Sequence, residues 1–553
     1  MNSLSHLYVR FLMSFRARRQ RLSARPKTRR SRGLTLAVII FCAGAIHPFA
    51  RAQEKPAQQQ QEKPFVEPAE MRHKTALKLA VETQPAQHGH WDTLPFLMPI
   101  NPVHVALMHN GKVLIISGSG NDPNNKRFEA GVWDPPAETV RTFPIAWDMF
   151  CNGMVILPDG RPFVLGGTLK YDEFLGEPRT AVFDPLREQF VDMPRMGGGR
   201  WYPTGTVLGN GHVLVDSGFS DKPIDTPHGP DSTVNTTVEI WDGARWTAAG
   251  TIFAGVPLYP RQNLLPNGKV FESGANPNSK MYDPATHAWT DVATTNLPAY
   301  REYGTSVLLP LTQATGYKPR VMILGGVQPD ATDTTELIDL SVSQPRWVNG
   351  PKMVRPRVQL NATILPNGKV LVSGGSAKDE DESTASLAAE LYDPDANSFS
   401  SAGSMEFARV YHSNTLLLPD ATVMAVGGNP VRTVYEPHIE IYSPPYLFKP
   451  DGTPATRPVI SGITPGTIRY GATLRIMTAD PASIKAVVFV RPGAVTHAFD
   501  MEQRLVGLAF SVRDGALYAT APANGNLAPP GYYMVFILNS AGVPSVASFV
   551  RLM

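Results

Sequence analysis

Tyr411 and His412 stand side by side in Arg409-Val410-Tyr411-His412-Ser413, a phenol next to an imidazole, both able to ligate a transition metal. Consecutive side chains on an extended strand point to opposite faces, so the two can share one ion only where a strand ends and the backbone turns. Alone, a Tyr-His pair is ordinarily structural. A second phenol lies in Arg200-Trp201-Tyr202-Pro203-Thr204, a thiol in Asp148-Met149-Phe150-Cys151-Asn152-Gly153, and a second imidazole in Thr496-His497-Ala498-Phe499-Asp500, with Gln503-Arg504 just downstream. The only other cysteine, Cys42, falls in an apolar leader, so the body of the chain has one thiol and no internal disulfide. Read singly, Cys151 is a small buried apolar group and His497 an ordinary hydrogen-bonded histidine. His104, His109, His212, His228, His287 and His438 sit in turns or strand ends without metal-ligand spacing and are read as ordinary too.

The elements that must position these residues repeat. An apolar strand, a turn, and a second strand running into glycine recur with turns at His109-Asn110-Gly111, Leu157-Pro158-Asp159-Gly160, Gly209-Asn210-Gly211, Leu265-Pro266-Asn267-Gly268, Leu365-Pro366-Asn367-Gly368 and Leu418-Pro419-Asp420-Ala421. Asn-Gly and Asp-Gly suit two-residue hairpins that need positive φ. The strand after each turn ends at Gly118, Gly167, Gly218, Gly274, Gly326, Gly375 and Gly428, seven marks at the roughly 50-residue period of a kelch blade. A longer loop, 311–319, replaces the turn before Gly326. The period stops after Tyr446, and strand-like runs separated by Pro and Gly follow. The expected fold is all-β: a seven-bladed kelch-type propeller over 91–450 and an immunoglobulin-like sandwich over 455–553.

In this order, the four motifs resemble those of the galactose oxidase and glyoxal oxidase family of copper-radical oxidases, from about residue 91 to the C-terminus. The resemblance implies a Cu(2+) site with Tyr202, Tyr411, His412 and His497 as ligands. His497 would arrive on a loop sent from the C-terminal domain down the propeller axis. It also implies a thioether between Cys151 and Tyr202, forming a Tyr-Cys radical cofactor, with Tyr411 as axial ligand and general base. Catalysis would rest on Tyr202, Cys151 and Tyr411. The implied reaction is oxidation of a small alcohol, aldehyde or carbohydrate substrate with O2, giving H2O2. Phe219, in Ser217-Gly218-Phe219, would take the place of the family's shielding tryptophan, and Arg261 is the candidate for its substrate arginine. The change to phenylalanine moves the reading away from galactose.

Residues 1–52 hold eleven Lys or Arg and no acidic residue, then an apolar run from Leu34 to Ile46 and Ala50-Arg51-Ala52. This reads as a secretory signal peptide, the run being short of the roughly 20 residues that span a bilayer. The expected mature protein is secreted, periplasmic or on the cell surface, monomeric, and without a membrane span. Residues 53–90, rich in Gln, Glu, Lys and Pro at their start, read as a disordered linker and lead-in. Without the leader, 40 Lys and Arg face 48 Asp and Glu, a net charge of −8, so nucleic acid is not an expected partner. Two rivals remain. A non-catalytic kelch propeller binding glycans or proteins would give no joint role to Cys151, Tyr202, Tyr411 and His497. A propeller glycosidase would need paired axial carboxylates, whereas Asp379 and Glu380 lie in a charged, loop-like run.

Overall fold

In the computed structural model, residues 84–553 are described except 227–228, 232 and 328–329. The expected signal peptide and most of the expected linker lie outside the described residues, as does His228. Seven antiparallel sheets of four strands follow one another, each a blade, and the first also takes two strands from the C-terminal domain. Innermost strands in order are His104–Leu107, Gly153–Ile156, Trp201–Val207, Arg261–Leu264, Thr305–Leu308, Val358–Ile364 and Asn414–Leu417. They are buried almost throughout, as strands packed on both faces must be. The ring closes because His90–Leu97 pairs antiparallel with His438–Ser443 as the outermost strand of the seventh blade. The expected seven-bladed propeller is therefore the observed fold.

All seven marker glycines have positive φ, from 58° at Gly118 to 138° at Gly167. At Gly375 (φ 79°) a Cβ would lie 2.5 Å from the Val358 carbonyl of the neighbouring strand, so both conformation and space demand glycine. The hairpin turns differ from the two-residue type expected. At Leu157-Pro158-Asp159-Gly160 only Gly160 has positive φ (87°), and its N–H donates to Leu157 O at 2.8 Å. The aspartate instead caps the residue two positions on, Arg161 N–H donating to Asp159 Oδ1 at 3.1 Å. Asn and Asp recur there because their side chains replace a backbone acceptor.

Residues after the propeller form a four-stranded and a five-stranded sheet, among them Thr473–Met477 with Ala516–Thr520 and Ile484–Val490 with Gly531–Asn539. Their facing side chains, including Leu474, Ile476, Phe489, Leu517 and Tyr533, form a core that runs on into Leu265, Phe271, Leu308 and Ile323 of the propeller. The irregular loop 311–319 has its reason here. Leu311 N–H donates to Leu505 O at 3.0 Å and Gly507 N–H to Leu311 O at 2.8 Å, so the loop is a docking seam.

Candidate metal centre

A buried arginine opens four of the blades. Arg200, Arg301, Arg357 and Arg409 pair with Glu239, Glu336, Glu390 and Glu440 at 2.8, 2.8, 2.9 and 2.7 Å, all nearly solvent-free. The arginine of each Arg-x-Tyr motif is thus a clamp inside its own blade. Two or three residues later the chain reaches the axis and turns with positive φ: Tyr202 (68°), Tyr303 (56°), Gln359 (60°) and His412 (65°), joined by Cys151 (54°) and Tyr259 (47°) on the blades between. Neighbouring turns are tied together, Tyr202 N–H donating to Cys151 O at 2.9 Å and Tyr259 N–H to Tyr202 O at 3.0 Å. Strained backbone of this kind persists only where its surroundings fix it, and it gathers at functional sites.

Tyr411 and His412 lie in a turn closed by Ser413 N–H donating to Val410 O at 2.9 Å, immediately before Asn414–Leu417. The strand has not yet begun there, so both rings face the same side, stacked with centroids 3.8 Å apart. His497 arrives from the C-terminal domain. Ala494–Thr496 and Phe499–Asp500 form a hairpin that adds to the inner edge of the first blade, Val105 opposite Val495. His497 and Ala498 (φ 48° and 64°) are its two-residue turn. The residues beyond it anchor the loop. Ile156 N–H donates to Glu502 Oε1 at 3.0 Å, Gln503 Nε2 donates to Ala362 O at 2.9 Å, and Arg504 Nη2 donates to Leu264 O. Three successive side chains therefore hold three different blades.

At the axis Cys151 Sγ lies 3.6 Å from His412 Nε2 and 3.4 Å from His497 Nε2. The hydroxyls of Tyr202 and Tyr411 are 3.1 Å apart, and the His497 ring is 5.3 Å from that of Tyr202 and 5.2 Å from that of Tyr411. All five residues are at most 8% exposed. Both imidazoles have fixed tautomers. His412 Nδ1 meets Asn429 Oδ1 at 2.7 Å, an acceptor, so Nδ1 carries the proton and Nε2 keeps its lone pair. Thr496 Oγ1 spends its hydrogen on Val103 O at 3.0 Å, leaving it to accept from His497 Nδ1 at 2.6 Å. Burial pushes the Cys151 thiol and the Tyr202 and Tyr411 phenols well above their ordinary pKa ranges, while burial and His412 hold His497 well below its own. Neutral imidazoles with inward lone pairs beside two phenols fit a copper(II) ion in donor type and number.

Not every expectation matches the geometry. Phe219 meets the Tyr202 ring edge-on, centroids 6.3 Å apart and planes at 81°. The ring lying parallel to Tyr202 is its chain neighbour Trp201, at 5.4 Å and 12°. Arg261 is 6% exposed and spends its donors on the backbone carbonyls of Tyr259, Gly304 and His497, so it offers little to a substrate. His104, read as ordinary, is fully buried with its ring 6.0 Å from that of His497. Tyr259 was missed although Tyr259-Pro260 repeats Tyr202-Pro203 one blade on. Its ring is 5.3 Å from Tyr202 and 4.5 Å from His497.

Comparison with known proteins gives the family of the chain. The glyoxal oxidase N-terminus family matches residues 128–446, and the galactose oxidase-like early set domain matches 457–552. The chain belongs to the glyoxal oxidase family, and so to the copper-radical oxidases. It is 28% identical to aldehyde oxidase GLOX of Vitis pseudoreticulata over 84% of this chain and 97% of that one. It is 26% identical to galactose oxidase of Gibberella zeae over 82% and 69% respectively. Among solved structures, a fungal alcohol oxidase of the AA5 family in complex with copper matches with a TM-score of 0.73 at 26% identity, covering 84% of this chain and 100% of that one.

Proposed function

We propose that this is an exported oxidase that removes two electrons and two protons from a primary alcohol or a small aldehyde hydrate and passes them to O2, giving H2O2. The observation that carries the reading is the meeting of two lone-pair imidazole Nε2 atoms, two phenols and one thiol on the propeller axis. Tyr202, Tyr411, His412 and His497 would hold copper, with Cys151 joined to the Tyr202 ring as a thioether. Bound copper(II) would supply a Lewis acid for the substrate oxygen and accept one electron. Tyr411 Oη, relieved of its own proton when the residue holds copper, would accept the hydroxyl proton of the substrate. Tyr202 Oη, 3.1 Å away and held in the thioether as a one-electron-oxidised phenoxyl, would take the hydrogen atom of the neighbouring carbon and with it the second electron, so that the two phenols act on adjacent atoms of one substrate. Among the described residues no helix is long and apolar enough to cross a membrane.

A second reading has its own observation. Cys151, His412 and His497 offer three ligand atoms within 4.8 Å of one another, which could hold copper through a thiolate. Peptide mass spectrometry after copper and air separates the two. A loss of two hydrogens joining the Cys151 and Tyr202 peptides is expected; separate peptides with a titratable thiol would leave the thiolate reading. Replacing His497→Ala should strip most of the copper in either case, and wild-type copper content in that variant would remove the C-terminal loop from the site.

A further inference from the structure

Arg261 begins the inner strand of the fourth blade and is unlike the other buried arginines. Arg200, Arg301, Arg357 and Arg409 each face a glutamate, whereas Arg261 has no carboxylate partner among the described residues. Its guanidinium is spread over three stretches of chain. Nη1 donates to Tyr259 O at 3.0 Å, Nε and Nη2 to Gly304 O at 3.2 and 3.1 Å, and Nη2 also to His497 O at 2.8 Å. Its carbon lies 5.4 Å over the ring of Phe499, on the far side of the same two-residue turn. Burying a cation is costly unless its donors are met. Here they are met by carbonyls alone, one of them belonging to a residue at the metal centre.

The turn it grips needs gripping. His497 and Ala498 both have left-handed backbones, and neither is glycine or asparagine, the residues that take this conformation readily. The peptide that follows His497 sets which way its ring points. We propose that Arg261 is a positioning residue for His497: by holding the His497 carbonyl it fixes the turn with Nε2 facing Cys151 and the two phenols, and so sets copper affinity without touching the metal. The proposal rests on the reading of His497 as a ligand. The fixed carbonyl is the counterpart, on the backbone side, of the Thr496 hydroxyl that fixes Nδ1.

Two measurements test it on the full chain, with Arg261→Met and Arg261→Lys. Copper(II) affinity by competition with a chelator should fall about 10- to 100-fold in Arg261→Met, the usual cost of losing a partner behind a ligand. The copper(II) EPR spectrum should change with it, and Arg261→Lys, which keeps the charge but not the fork, should recover only part. In the metal-free protein, hydrogen exchange should rise in the peptide spanning 494–500, with smaller changes next to Tyr259 and Gly304 where the same guanidinium binds, and stay unchanged across the second and seventh blades. Wild-type affinity and spectrum in Arg261→Met would overturn the proposal, and a rise in KM alone would make Arg261 a substrate group instead. Should Arg261→Met fail to fold, Arg261→Lys and Arg261→Gln carry the same test. Wild-type protein that bound no copper would overturn the metal reading itself, while the exchange result would still report whether Arg261 holds the turn.

Discussion

Tyr202 donates its backbone N–H to the carbonyl of Cys151 at 2.9 Å across the boundary between two blades, and both residues have left-handed φ. The bond fixes one turn against the next, and burial raises the Cys151 thiol while its neighbour Tyr202 opposes that rise. Two residues 51 positions apart in the chain, one at the head of each of two successive blades, are thus held next to one another at the axis.

If the thioether forms, Cys151→Ser should fold and keep its copper, since sulfur is not a ligand in this scheme and losing a small buried group costs only about 1–3 kcal/mol. Its turnover should collapse, because an unmodified phenol is harder to oxidise and each 1.4 kcal/mol on the barrier costs about tenfold. Copper content together with peroxide-coupled turnover decides it. Near wild-type turnover in this variant would mean that Cys151 has no part in the chemistry.

Trp201, parallel to the Tyr202 ring and 0% exposed, should matter more to a radical there than Phe219, which meets the ring edge-on. An aromatic pair contributes about 0.5–1.5 kcal/mol, so Trp201→Phe should shorten the radical's lifetime by about two- to tenfold. Phe219→Leu should change it little. Decay of the radical's absorbance in the absence of substrate measures both, and the opposite ranking would restore Phe219 as the shield.

The parts that could be read from the chain are those where a residue type has few other uses. Glycines at a 50-residue period point to blades by themselves, whereas a lone thiol and a Tyr-His pair, ordinary when read singly, point to a metal site only when their motifs are read together. Trp201, Tyr259, Asn429 and Thr496 could not be singled out, because a tryptophan, a tyrosine, an amide and a hydroxyl are common in any strand-rich core. Their roles come from how the fold places them beside the site, through a stacked chain neighbour for Trp201, a hydrogen bond to His412, 17 residues back, for Asn429, and, for Thr496, the pairing of Val105 with Val495 that brings it to the axis. The turn at His497-Ala498 was hidden for a different reason. It has the backbone of an Asn-Gly turn without the residues that announce one.

The blade clamps give a prediction free of the metal. Arg357 is 0% exposed and binds Glu390 Oε2 at 2.9 Å, Gly374 O at 2.8 Å and Ala388 O at 2.7 Å, while Val354 N–H donates to Glu390 Oε1 at 2.8 Å. Arg357→Ala strands a buried carboxylate and should cost about 3–5 kcal/mol, with an apolar replacement of both partners recovering much of it. Denaturant unfolding of the metal-free protein reads this directly. A loss below about 1 kcal/mol, the scale of surface pairs, would show that the clamp is not a structural charge pair.

Glu272 in the fourth blade predicts a pH dependence. It is 0% exposed, neither carboxylate oxygen has a hydrogen-bond partner, and it pairs across the strand with Gln262, whose amide donates to Asp216 Oδ2 at 2.7 Å. Burial, with Asp216 adding repulsion and Lys280 opposing it, raises Glu272 from 4.5 to about 8. Burial likewise raises Asp216 from 3.8 to about 7, against the Gln262 hydrogen bond and Arg200. The folded chain therefore keeps a proton on Glu272 that the unfolded chain has released. From the unfolded pKa near 4.5 up to about 8 the native state binds more protons, so stability is fully present below that window and is lost as pH rises through it. The slope from this one group is at most about 1.4 kcal/mol per pH unit. Glu272→Gln cannot ionise, so it should flatten the decline of Tm between pH 5 and 9, taken as a range about that window, and leave the variant more stable than wild type at the alkaline end. Thermal unfolding of metal-free protein across that range is the measurement, and an unchanged slope in Glu272→Gln would mean that the folded protein accommodates Glu272 as a charged group.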